Sequence, residues 1–449
     1  MEDEGQLNPP LAGFADLQSE PWVLPEPEPT TLIGLWPHER PPTMTEIRGA
    51  LRRFIGVDVT VGDEPPAADD SVLWTAVFEL PGLPHPVIIW SEPAKPLPPG
   101  ELDDPQAEAC KWVLGAETVL DGEDPLSSYT RLVRAVAGSF QDIPAILDVN
   151  CTRWHLRHDI NRLFLADGIE PSAEVLWIIH VVQKPAETGT AWLHTHGLWR
   201  CGRPELELLQ IPGEYIGPAC ELLNTIAELS LDEPLPEPGE PLEVGRELAV
   251  TLEPWREAAK FLDHDTPGSI AARQPDADDP HQGIRAVICE SKPRGTRRAT
   301  WLWPKDIVLK VQRQDAALYR SQRATARQAA LAQATWSQLI AAFSSVPGRT
   351  PPGWSFLIKA GFADEDLEPT NREHLWFELL RLDGNRAEGR LINQPATVPR
   401  LNEGDVIWID AAIVTDWRVC TPIGDFGPDE AAAISQTIEE LKSKAAVSP

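Results

Sequence analysis

Hydrophobic and polar positions change period several times along this chain, and the changes mark its elements. Residues 31–36, 57–61, 72–80 and 87–90 are short runs rich in β-branched and aromatic side chains, which predict strands. Thr43-Met44-Thr45-Glu46 is a capping box opening a helix through Phe54, because hydroxyl and carboxylate each satisfy a backbone N–H that the first turn leaves orphaned. Asp104-Pro105 sets an N-cap before a proline, whose missing N–H is harmless at the first helical position, and predicts a helix to about Leu114. A strand returns at 117–120. The order β-α-β-β-(β)-α-β predicts a ferredoxin-like, split-βαβ unit over 30–122 with one extra hairpin strand.

Asp124-Pro125 repeats the cap, and Leu126, Tyr129, Leu132, Val133 and Val136 fall on one helical face. A strand at 145–149, a helix at 154–165, strands at 175–182, 190–196 and 205–211, and a helix at 215–229 complete a second α+β sheet unit over 123–230. Bulky residues on both faces of 175–182 predict a central strand. Pro234, Pro236, Pro238 and Pro241 remove backbone donors and predict a Pro/Glu linker over 231–244. Strands at 247–252, 285–290, 300–303 and 307–311 predict a β-rich extension over 245–311, followed by a long helix over 312–345. Alternation returns in Phe356/Ile358, Leu375/Phe377/Leu379 and Val406/Trp408, with turn chemistry at 382–385 and 402–405. It predicts a small antiparallel β domain over 346–449 with a terminal helix at 429–442. Residues 1–29, acidic and Pro-rich, predict an unordered arm. The expected fold class is therefore α+β throughout.

Charge narrows the partners. The 39 basic and 69 acidic residues give a net charge of −30, which repels nucleic acid and anionic membranes; it serves solubility first, and the sharper reading is an acidic surface that mimics nucleic acid or captures a basic protein partner. No apolar run reaches the ~18 residues of a membrane helix, and the acidic N-terminus lacks the layout of a signal peptide, so a cytoplasmic protein is expected. Cys110, Cys151, Cys201, Cys220, Cys289 and Cys420 are scattered without a C-x-x-C pair, which predicts reduced thiols. One segment runs against the total: 285–327 carries eleven basic residues and three acidic ones, interleaved with Trp301, Trp303 and Tyr319. Basic and aromatic residues together suit single-stranded nucleic acid, a reading that the field of the whole molecule opposes.

There is no phosphate loop, no G-x-G-x-x-G after a strand, no H-E-x-x-H and no G-x-S-x-G, so the common enzyme motifs are missing. The best local constellation is His194-Thr195-His196, followed by Glu205-Leu206-Glu207. Residues two apart on a strand share a face, so His194 with His196, and Glu205 with Glu207, are candidate ligands for a divalent metal; one carboxylate–histidine hydrogen bond explains the same residues without an ion. Cys151 near His155 and His158 offers a Cys–His pair with no third, orienting group. Asp263-His264-Asp265 and Asp276, Asp278, Asp279, His281 form an acidic loop lacking EF-hand alternation and read as surface.

Towards the C-terminus stand Trp354–Lys359, Glu373-His374-Leu375-Trp376, Gly389 to Asn393-Gln394-Pro395, Gly404-Asp405 and Asp416-Trp417, in that order. The set resembles the YegJ-like bacterial domain of unknown function, with Gln394 standing where that family usually has an acidic residue. The resemblance implies a bacterial protein, a small β module and no known reaction. It marks Glu373, His374, Asn393, Asp416 and Trp417 as candidate binding residues. Residues 72–211 are similar to uncharacterised bacterial domains found with it, most strongly at 194–207. The expected function is a non-enzymatic protein-interaction module, immunity-like or stress-associated. The alternatives are a metal-dependent hydrolase using the His-x-His and Glu-x-Glu strands, and nucleic-acid binding through 285–327.

Overall fold

A computed structural model describes residues 22, 24, 27–56, 60–61, 71–98, 100–102, 104–166, 168–183, 189–273, 281, 283–291, 300–313, 318–345, 353–362, 372–434 and 437–438. They fall into two compact units, the first from residues 1–166 and 173–321, the second from 167–172 and 322–449. The α+β class holds in both. Most of the N-terminal arm and much of the 345–353 break lie outside the described residues.

The first unit holds two sheets. One contains β1 (Thr30–Trp36), β2 (Thr60–Val61), β3 (Trp74–Glu79), β4 (Val87–Pro93), β5 (Trp112–Thr118), β6 (Ala145–Asp148) and β7 (Arg153–Leu156). Their order is β2-β3-β4-β5-β1-β6-β7, and every pairing is antiparallel. The capping box forms as expected: Thr43 N donates to Glu46 Oε2 at 3.1 Å and Glu46 N to Thr43 Oγ1 at 3.4 Å. The helix Met44–Ile55 that it opens packs against the helix Pro125–Ser139. Ile47 and Leu51 from one, and Tyr129, Leu132 and Val133 from the other, share a core with Leu32, Phe78 and Ile89 of the sheet.

Two boundaries differ from expectation. The helix after Asp104 is only Pro105–Glu108, because Trp112-Val113-Leu114 are taken by strand pairing with both β1 and β4; the strand expected at 117–120 is the end of β5. The same sheet also runs on past residue 122, since β6 pairs with β1.

The second sheet contains β8 (Ile178–Gln183), β9 (Thr190–His196), β10 (Glu205–Pro212), β11 (Pro241–Gly245), β12 (Leu248–Pro254) and β13 (Arg285–Glu290), in the order β11-β12-β13-β10-β9-β8. β10 and β13 are parallel, and the other neighbours are antiparallel. β8 is an edge strand with Val181 and Val182 exposed, not the central strand its apolar run predicted. The prolines of 231–244 do not separate units. The helix Ile216–Asp232 runs into this stretch, and Pro241 begins β11 at a sheet edge, where a missing N–H breaks no ladder. Thr300–Leu302 form a 3₁₀ turn, not the strand expected at 300–303. Residues 307–311 belong to the helix Lys305–Gln312, whose buried Ile307, Val308 and Val311 recur at helical spacing. The long helix is two, Gln322–Ala334 and Trp336–Ser345, broken at Thr335.

The second unit is a sheet of β14 (Ser355–Phe362), β15 (Glu373–Asp383), β16 (Arg386–Leu391), β17 (Val406–Asp410), β18 (Val414–Thr421) and β19 (Gly424–Phe426), in the order β17-β16-β15-β14-β18-β19. Phe356, Ile358, Leu375, Phe377 and Trp417 line its core, with Trp336 and Leu339 from the second helix. The Val406/Trp408 face is inverted relative to expectation. On this edge strand Ile409 is buried, while Val406 and Trp408 face solvent. Of the terminal helix, residues 431–434 and 437–438 are described and helical, and Ile434 and Ile438 are buried.

Candidate metal centre

The register of the second sheet builds a histidine cluster. β8 and β9 pair so that His180 stands directly opposite His194 and Ile178 opposite His196. Residues opposite one another on antiparallel strands share a face, and so do residues two apart, so His180, His194 and His196 project together. Their ligand nitrogens all lie within 4.8 Å of one another. A fourth imidazole arrives from far along the chain: His281 Nε2 sits 3.1 Å from His194 Nε2. Its ring centroid is 4.8 Å from that of His194 and 5.2 Å from that of His196.

Burial sets the chemistry of these groups. His194 is fully buried, and burial first, then the Arg285 charge, push its pKa far below the usual histidine value. Burial and Arg285 also lower His180. Both are therefore neutral near pH 7, the state in which imidazole ligates a metal. His194 Nδ1 is buried and has no hydrogen-bond partner among the described residues.

The two glutamates do not join the histidines. Glu205 Oε1 accepts from the backbone N–H groups of Gly197 at 2.7 Å and Leu198 at 2.9 Å, while Oε2 accepts from Thr195 Oγ1 at 2.6 Å. It caps the turn that ends β9. Glu207 lies opposite His194 in register, yet its carboxylate is held by Arg273 at 2.6 and 2.9 Å and by Arg285 at 3.2 Å. Burial disfavours its charge, and the two arginines outweigh burial, holding its pKa below the ordinary carboxylate value. Arg273 also donates to the His281 carbonyl at 3.2 Å and stacks on Trp192 and Trp255 at 4.7 and 4.2 Å. The arginine that neutralises Glu207 thus also fixes the backbone carrying His281.

A cavity of about 460 Å³ opens over the cluster, with His180, His196 and His281 on its floor. Part of its wall is the turn between β6 and β7, which contributes Val149, Asn150 and Thr152. Thr152 adopts φ +50°, a left-handed conformation that costs a β-branched residue energy and persists only where its surroundings impose it. A buried network flanks this turn on both sides of Val149 and Asn150, at Asp148 and Cys151. Arg200 pairs with Asp148 through both nitrogens at 2.8 and 2.9 Å, Tyr129 donates to Asp148 at 2.7 Å, and Arg200 reaches Cys151 Sγ at 3.1 Å.

The remaining sequence candidates are dispersed. Burial pushes the Cys151 thiol up to about 12, and His155 contacts Tyr129 at 3.3 Å, so the two do not form a nucleophile–base pair. His158 is exposed beside Asp159. Asp276, Asp278 and Asp279 lie outside the described residues, whereas their neighbour His281 leaves the expected surface loop for the cluster. Within 285–327, Arg285 is buried on Glu207, and Arg323 and Arg327 bond Glu170. Lys292, Arg294, Arg297 and Arg298 lie outside the described residues.

In the second unit the five resemblance residues do internal work. Glu373 accepts from Ala396 N and Thr397 N, both at 2.7 Å; burial raises its pKa, and these donors outweigh burial and hold it low. His374 Nδ1 meets Thr415 Oγ1 at 2.8 Å, and Asn393 Oδ1 accepts from Trp376 N at 2.9 Å. Asp416 accepts from Gln328 at 2.9 Å, and buried Trp417 donates to Thr335 at 3.1 Å.

Comparison with known proteins adds two partial matches. Residues 178–289, which contain all four histidines, match the family described as Protein of unknown function (DUF4026) C-terminal. Residues 323–429 match Uncharacterized protein conserved in bacteria (DUF2314). Both regions are thus similar to domains of unknown function, the second to one found in bacteria. No curated protein and no solved structure matches the chain. Among the described residues, no helix is long and apolar enough to cross a membrane.

Proposed function

We propose that the first unit binds a divalent transition-metal ion through His180, His194, His196 and His281. The observation that carries this reading is the meeting of four imidazoles brought from three separate stretches of chain, three of which, His180, His196 and His281, line one cavity while His194 lies buried beside them. Imidazole nitrogen suits zinc, copper, nickel and iron, and an all-nitrogen tetrahedral set favours zinc. Bonds of about 2.0–2.1 Å to such an ion put ligand nitrogens roughly 3.3 Å apart. The 3.1 Å contact of His194 and His281 is near that spacing. A hydrogen bond between those two rings accounts for their contact alone and leaves the convergence of His180 and His196 unexplained. Glu205 and Glu207 serve as supports: one shapes the turn after His196, the other anchors Arg273 and through it His281.

Four imidazoles close a tetrahedral site, whereas catalytic zinc keeps a position for water, so hydrolysis on this reading requires a fifth position on the cavity side, where an ion-bound water would be acidified. The test is metal analysis of the purified full chain beside His194→Ala and His196→Ala. About one equivalent of zinc is expected in the parent protein and little in either variant. Equal, sub-stoichiometric metal in all three sinks the reading. His281→Ala, which removes a half-buried ligand, guards against variants that fail to fold.

A second reading concerns the second unit, which we take to be YegJ-like on the residues from Glu373 to Trp417. Exposed Val406 and Trp408 on edge strand β17 favour a protein-interaction role, since an open strand edge with apolar side chains accepts an added strand. Pull-down from a native lysate with Trp408→Glu as control tests it: equal capture by parent and variant counts against this surface.

A further inference from the structure

The walls above the histidine floor have a definite sign. Two carboxylates, Glu28 and Glu117, line the cavity, and among the described residues none of its lining is Lys or Arg. Glu117 is held rigidly: it sits on β5 directly opposite Thr31 on β1, and Thr31 Oγ1 donates to it at 2.7 Å. Asn150 is fixed between the two acids. Its Oδ1 accepts from Thr31 N at 3.0 Å and its Nδ2 donates to the Pro29 carbonyl at 2.9 Å, beside Glu28. Asn150 also hydrogen-bonds Glu28 itself, whose pKa is raised by burial and by the charge of Glu205. Glu117 and Thr31 are set on two strands and Asn150 on a strained turn, while Glu28 lies in the exposed stretch that leads into β1. The wall concentrates negative charge beside a space that falls within the ~300–1,000 Å³ of small-molecule sites.

We infer that this cavity selects a small ligand bearing a protonated amine, with the amine on Glu28 and Glu117 and the rest of the molecule over the histidines. Placement over the histidines rests on the metal reading above; recognition of the amine does not. The wall disfavours phosphates and carboxylates, because among the described residues no cation of the lining offsets Glu28 and Glu117. A carboxylate holding an ammonium makes a charge-assisted hydrogen bond, which a neutral amide replaces only weakly.

The experiment is isothermal titration of the full chain with 1,4-diaminobutane, and separately with inorganic phosphate and with acetate, each with zinc added and after dialysis against chelator. Saturable binding of the diamine and no binding of either anion is expected. Glu28→Gln and Glu117→Gln should each weaken diamine binding by about tenfold or more, the loss of one charge-assisted bond. Neither should change zinc uptake, which also shows that the variants fold. Binding of phosphate or acetate in place of the diamine overturns the inference, and so does undiminished diamine binding to the double variant. A parent protein that takes up no zinc yet binds the diamine through the two glutamates removes the metal reading and leaves the amine site standing. One that takes up zinc and ignores the diamine does the reverse.

Discussion

His194 Nε2 and His281 Nε2 lie 3.1 Å apart although 87 residues separate them in sequence. Their meeting ties β9 to the segment held by Arg273, so an ion bridging them joins parts of the fold that are remote along the chain. A ligand that binds the folded state alone raises stability by RT ln(1 + [L]/Kd), about 2.7 kcal/mol at a hundredfold excess over Kd. Zinc should therefore raise the melting temperature of the first unit, and a chelator should reverse the shift. His281→Ala should abolish the zinc response while leaving the chelated protein nearly as stable as the chelated parent. An unchanged response in that variant would exclude His281 as a ligand.

The fully buried Arg200–Asp148 pair governs the turn that walls the cavity. Removing one partner strands the other charge in the interior, which typically costs about 3–5 kcal/mol, whereas replacing both with apolar residues of like size is often neutral. Arg200→Met should lower the unfolding free energy measured in urea by an amount in that range, and Arg200→Met with Asp148→Leu should recover most of it. A cost below about 1 kcal/mol for the single variant would show that the pair does not hold the turn.

His155 gives a pH signature. It is buried, and burial depresses its pKa from the ordinary 6.5 to about 4, against the pull of Asp148. Between those values the unfolded chain takes up a proton that the folded protein refuses. Stability from this group is thus intact above pH 6.5 and is lost as the pH falls to 4, by roughly 3 kcal/mol in total. Other buried histidines add to the slope, so the difference between parent and His155→Gln isolates this one. Urea midpoints at pH 7 and pH 4.5 should fall less in the variant; an equal fall in both contradicts the assignment.

Much of this was legible in the sequence where the determinants are local. The capping box at Thr43, the alternation of β9 and β15, and the shared face of His194 and His196 follow from spacings of two to four residues. The histidine partners do not. His180 sits in Ile-Ile-His-Val-Val-Gln, whose apolar run masks it, and only the pairing of β8 with β9 puts it opposite His194. His281 stands beside three aspartates, which made it look like surface. Glu207 lies in register with His194, as a ligand would, but Arg273 is 66 residues away and no local signal announces that it claims the carboxylate. The prolines of 231–244 suggested a linker because proline removes donors, and one of them begins an edge strand, where donors are dispensable.

Gly197 ends β9 one residue after His196, and its backbone fixes the geometry of the cluster. Its φ of +119° is one that side chains rarely adopt. A Cβ there would stand 2.3 Å from the Leu176 carbonyl oxygen and 2.8 Å from Cys151 Sγ. The first is rigid backbone and the second belongs to the Arg200 network, so neither moves aside easily. The Gly197 N–H also donates to Glu205, so a shifted turn loses that buried bond as well. Gly197→Ala should destabilise the first unit by about 2 kcal/mol or more, from strain and a lost buried bond together. It should also weaken zinc binding at temperatures where the chain stays folded, because His196 moves with its neighbour. Gly202→Ala is the control, since it has a left-handed φ of +67° but open space around its Cβ, so it should cost less and leave zinc binding intact. Equal effects of the two substitutions on zinc affinity would mean that the turn after β9 does not position the histidines.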